Sequence, residues 1–107
     1  MTAQGHPRAI FGRAIENGNL VIAEATAREL GRLSLEEALQ LVLLYAAYEP
    51  AKVERAALRW FGRYLSEREP GLLRAQIALA ALGELRGGSE AAGGILVNLV
   101  DSRAAVS

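Results

Sequence analysis

Apolar side chains that return every three or four positions, cut at short intervals by proline and glycine, constrain this chain more than any other feature. That period fits the α-helix and not the two-residue period of a strand. The pattern predicts an all-α fold, a compact bundle of five to six short helices arranged as helical hairpins. The first helix is expected from Pro7 to about Asn17, with Ile10, Phe11, Ala14 and Ile15 on its buried face and Gly18 as its stop. Asn19 caps a second, from Leu20 to about Leu30, where Leu20, Ala23, Ala27 and Leu30 share a face and Gly31 ends the run. Glu24 and Arg28 stand at i and i+4 on it. Ser34 followed by Glu37 is a capping box for a third helix, which must end before Pro50, near Tyr48. Its second half, LVLLYAAY, is apolar on every side and belongs in the middle of the fold or under a partner. The fourth helix, from about Ala51 to Ser66, has the clearest amphipathic pattern, in Val53, Ala57, Trp60, Phe61 and Tyr64. Pro70 opens a fifth, to about Arg86, with Leu72, Leu73, Ile77, Leu79, Leu82 and Leu85 on most of its sides.

The tail is harder to read. Ser89 can cap a sixth helix, but Gly93 and Gly94 interrupt it, each at a cost of up to ~1 kcal/mol relative to alanine. The segment Ile95 to Val100, ILVNLV, has strand-like composition; helix is preferred because a lone strand has no sheet to join. The GGSEAAGG stretch from Gly87 to Gly94 reads as a hinge or linker, so residues 87–107 are expected to form a Gly-rich linker and a C-terminal apolar segment within a single domain, 1–107. A chain of 107 residues buries enough surface for one core but not two. Pairing the second helix with the third and the fourth with the fifth gives two hairpins. Gly31-Arg32 and Gly62-Arg63 lie 31 positions apart, which leaves a short TPR- or HEAT-like helical repeat as the alternative architecture. Beyond Trp60-Phe61-Gly62 the TPR pattern is not met.

The stretches NLVIAEATARELGRL, from Asn19 to Leu33, and ERAALRWFGRYLSE, from Glu54 to Glu67, resemble segments of small all-helical proteins of actinobacteria, over about residues 9–86. The resemblance implies a helical fold and a bacterial cytosolic setting, and no particular activity. Arginine far outnumbers lysine, as expected of a GC-rich coding genome: Lys52 is the only lysine.

The residue inventory leaves little for catalysis. There is no cysteine, one histidine, His6, close to the terminus, and one aspartate, Asp101. A serine triad needs a histidine held by a third group. Glu36, Glu37 and Gln40 open the third helix without the Glu-x-x-His of di-iron bundles, so they read as favourable charge at a helix N-terminus. The glycine-rich stretch lacks the Lys and Ser/Thr of a phosphate-binding loop. The expectation is a protein that is not an enzyme and has no cofactor and no metal. Met1 to Arg13 lacks the apolar stretch of a signal peptide, and the run from Leu41 to Tyr48 is far short of the ~20 residues of a membrane span, so a cytoplasmic location is expected.

Surfaces remain. The turn around Leu30-Gly31-Arg32-Leu33-Ser34 resembles that of a helix-turn-helix, but the helix that would enter the groove carries Glu36 and Glu37 and no Arg, Lys or Asn. Lys52, Arg55, Arg59 and Arg63, spaced 3, 4 and 4, form a stripe on the fourth helix, a candidate surface for an anionic partner. Leu65 and Glu54 lie on other faces, so the stripe is expected to have no internal acid partner; as an ordinary solvated face it would pair with glutamates on neighbouring helices such as Glu36, Glu49 or Glu67. The other candidate is an apolar interface of Leu41, Leu44, Tyr45, Tyr48, Ile95, Leu96 and Leu99, since this domain has few places to hide so much apolar surface. These readings point to a protein–protein interaction module, with a homodimer as the common form. The alternative is a small nucleic-acid-associated protein that uses the basic stripe.

Overall fold

The computed structural model describes residues 6–101. Within them the chain forms α1 (Pro7–Glu16), α2 (Leu20–Leu30), α3 (Leu35–Tyr48), α4 (Val53–Arg68), α5 (Gly71–Leu85) and α6 (Glu90–Asp101), with a 3-10 turn at Pro50–Lys52 leading into α4. No strand occurs among the described residues, and ILVNLV is helical.

Local side-chain bonds set the helix starts. Asn19 Oδ1 accepts the Ile22 N–H at 3.1 Å. At α3, Ser34 Oγ accepts the Glu37 N–H at 3.0 Å and Glu37 Oε1 accepts the Ser34 N–H at 2.8 Å, completing the capping box. Ser89 Oγ accepts the Ala92 N–H at 3.1 Å and opens α6. Between α1 and α2 the chain reverses at Gly18, whose φ of 67° suits glycine, and whose Cβ, if present, would lie 2.7 Å from Tyr48 Oη.

The helices pair in a different phase from the expected one. The extensive pairs are α1 with α2, α3 with α4 and α5 with α6, not the second with the third or the fourth with the fifth. Every consecutive pair here is joined by a short loop, so connectivity cannot choose between the two phases; the direction of the apolar faces does. The assembly measures 45 × 30 × 19 Å, which is about two helix diameters in its thinnest direction.

Burial also departs from the single core expected. Phe11, Ala14, Ala23 and Leu44 form one buried cluster. A larger one gathers Leu35, Leu39, Val42, Val53, Trp60, Tyr64, Leu82 and Leu96, with others, from α3 to α6. Helix α3 lies between the two and supplies residues to both, which is why its sequence is apolar all round. Trp60 is anchored in the larger cluster by its indole N–H, which donates to the Leu35 carbonyl at 2.9 Å, and its ring stacks on Tyr64 at 5.2 Å.

The linker reading of the tail is corrected. The break is confined to residues 86–89; Gly93 and Gly94 lie inside α6, whose Ala92, Leu96 and Val100 are buried. Gly93 faces Leu43 of α3 closely enough that a Cβ would sit 3.4 Å from its side chain. The closeness of that approach offsets the poor helix propensity. Residues 102–107 lie outside the described residues.

Candidate functional site

Helix α6 lies on one side of α3 and α1 and α2 on another, so most of the two apolar segments expected to form an interface is covered within the fold instead. Leu44 is 8% exposed and Leu96 0%, and both belong to the core. Leu41, Tyr45 and Leu99 are half-buried against the two clusters, and only Tyr48 and Ile95 of the seven are exposed. The exposed apolar surface sits elsewhere, on α4 and α5. Leu58 is 59% exposed, Leu72 78% and Leu79 49%, with Leu65 and Leu73 also in water. Leu58 and Leu65 stand seven residues apart on α4, as do Leu72 and Leu79 on α5, so each pair occupies one helical face. Leu58 and Leu79 line the same groove, with Ala57 and Leu82 beneath them. The buried face of α4 was visible in the sequence; which side of α5 met water was not.

The basic stripe is real as geometry but divided in chemistry. Lys52, Arg55 and Arg59 are exposed and Arg63 is half-buried. Lys52 Nζ donates to Glu24 Oε2 at 3.0 Å, lies 3.3 Å from Glu49 Oε1, and stands over the Tyr45 ring at 5.6 Å. Arg63 Nε donates to Glu67 Oε2 at 2.8 Å, so the stripe does have an acid partner on its own helix, one turn on. Arg55 and Arg59 make no ion pair among the described residues.

Glu24 is the hub of one end of the stripe. The Tyr45 hydroxyl donates to its Oε2 at 2.6 Å. That bond first, and the Lys52 ammonium second, hold the Glu24 carboxyl below the usual carboxylate range. Burial, helped by the Glu24 charge, pushes the Tyr45 phenol up to about 12. The bond to Glu24 raises Lys52 in turn. At the other end Glu67 is held low by Arg63 and also takes Arg32 Nη2 at 3.1 Å. Glu36 receives Arg68 Nη2 at 2.8 Å, and Glu37, besides its capping bond, pairs with Arg8. The two glutamates at the start of α3 thus tie that helix to α4 and α1.

Between these ends α2 and α4 wall a cavity of about 420 Å³ floored by α3. Ala38, Leu41, Val42 and Tyr45 contribute from α3, and Arg28, Arg32, Arg59 and Arg63 stand around it. The α3 helix that a helix-turn-helix would insert into DNA packs here against α2, α4 and α6, with Leu35, Leu39 and Val42 buried. His6 precedes α1 and is exposed. Among the described residues no group of three or more His, Cys, Asp or Glu side chains is placed to hold a metal ion, and no helix is long and apolar enough to cross a membrane.

No protein-family model, curated protein or solved structure matches this chain.

Proposed function

We propose that this chain is a non-enzymatic protein–protein interaction module of the bacterial cytoplasm, and that it pairs with a second copy of itself across the leucine stripe of α4 and α5. One observation carries the reading: Leu58, Leu65, Leu72 and Leu79 stand exposed on adjoining helices. Contiguous exposed apolar surface on a small soluble domain marks an interaction site. A second copy suits it because the chain has no net charge, so two copies do not repel at long range. The end of the stripe is also charge-balanced, with Glu54 and Arg86 3.1 Å apart. A two-fold dimer sets the same patch against itself and needs only that self-complementarity. The non-enzymatic part rests on the residue inventory, with its single histidine and no cysteine.

Light scattering coupled to size-exclusion chromatography tests this. The wild type is expected at twice the 11.4 kDa chain mass. Leu72→Glu and Leu79→Glu are expected to return it to the monomer with an unchanged circular dichroism spectrum. A wild type that stays monomeric at high micromolar concentration ends the dimer reading.

The nucleic-acid reading keeps the support of Arg55 and Arg59, both exposed and unpaired among the described residues. It ranks second because Lys52 and Arg63, at either end of the stripe, are already engaged by glutamates. Binding to duplex or single strand at low salt, lost steeply as salt rises, would promote it.

A further inference from the structure

We propose that the cavity between α2, α3 and α4 is a binding site for a small amphiphilic anion, its apolar body on the α3 floor and its carboxylate or phosphate head between Arg28 and Arg59. The volume of about 420 Å³ falls within the range of small-molecule pockets. Leu41, Val42, Ala38 and Ala56 offer an apolar floor, with the Tyr45 ring beside them.

Charge selects the head group. Four arginines border the cavity against a single carboxylate, Glu24. Glu24 is already engaged by Tyr45 and Lys52, so it does not neutralise the rim. Arg32 and Arg63 share Glu67 Oε2. Arg28 and Arg59 make no ion pair among the described residues, although Arg28 senses the Glu24 charge through space. Two guanidinium groups on facing walls, each with planar donors to spare, suit a carboxylate or phosphate.

The ends limit the size of the occupant. The Glu24–Lys52 pair joins α2 to the 3-10 turn that leads into α4, and the Arg32–Glu67 pair joins the loop after α2 to the end of α4. Glu24 and Arg32 are eight residues apart, and the helical part of that span, from Glu24 to Leu30, is about 9 Å long. That length suits a compact ligand better than a through-running helix or nucleic-acid strand. The site is independent of the dimer reading, since Arg59 and Leu58 point about 100° apart around α4.

Trp60 is the only tryptophan and borders the cavity, so its fluorescence reports the occupant. The full chain is titrated with octanoate, octyl phosphate, acetate and 1-octanol, with calorimetry in parallel. Octanoate or octyl phosphate is expected to change Trp60 emission saturably, and whichever binds more tightly identifies the head group. Acetate should give no change, and octanol should bind at least roughly tenfold more weakly for want of the charged contact. Arg28→Gln and Arg59→Gln should each weaken octanoate roughly tenfold, the loss of one charge-assisted hydrogen bond. Leu72→Glu should leave binding unchanged even if it breaks the dimer. No saturable signal or heat from either anion, octanol binding as well as octanoate, or arginine variants that bind like the wild type would overturn the assignment.

Discussion

Helices α3 and α5 carry similar runs of leucine and alanine over 14 and 15 residues, yet α3 hides its apolar surface and α5 leaves Leu72, Leu73 and Leu79 in water. The difference lies in their neighbours. Among the described residues α3 packs against α2, α4 and α6 and touches α1, whereas the substantial packing of α5 is on α6 and α4. In a slab about two helices thick, an outer helix keeps one side bare. Composition alone therefore does not say whether an apolar helix is core or interface; the number of packed sides does.

The comparison breaks most sharply under truncation. Leu39→Ala, at a fully buried position of α3, should lower unfolding stability by about 2–5 kcal/mol in urea titration, while Leu72→Ala on α5 should change it by less than about 0.5 kcal/mol in the monomer. Equal losses would mean that α5 is covered in solution. A smaller effect tests how α3 is started: Ser34→Ala removes the capping box and should cost about 1 kcal/mol. Next comes a gain. Gly94 is helical, exposed and has open space where a Cβ would stand, so Gly94→Ala should stabilise the helix covering α3 by up to about 1 kcal/mol.

The smallest effect concerns the polar clasp beside α3. The Tyr45 hydrogen bond, then Lys52, hold Glu24 below its ordinary value of 4.5. The stability this contributes is complete above that value and is lost as pH falls through the lower folded-state value. Melting temperature should therefore decline on acidification below about pH 4.5, and Glu24→Gln should flatten part of that decline. An acid limb of the same slope in both proteins would show that the clasp adds nothing.

Helix ends were legible because their causes are local. Asn19, Ser34 and Ser89 bond to groups three residues away, and prolines and glycines stop or turn the chain within the same window. The basic stripe was legible for the same reason, as a spacing along one helix. Its neutralisation was only partly so: Arg63 meets Glu67 one turn away, but Lys52 meets Glu24 across 28 positions of chain. The cavity was not legible at all, since Arg28 and Arg59 share it only because α3 holds α2 and α4 apart. Nor was the burial of Leu96, which follows from α6 lying on α3, or that of Leu44, which packs with Phe11, Ala14 and Ala23 on the other side of α3.

The sequence by itself determined that this chain is helical, about where its first five helices begin and end, and which residues share a helical face, because backbone hydrogen bonding and capping act over a few positions. Only the tertiary structure decided which helices pair, that α3 divides the core in two, that α5 keeps a leucine face in water, and that four arginines gather around one cavity. Those outcomes depend on contacts between residues far apart in the chain, where several packings satisfy the same local pattern and close fit selects among them.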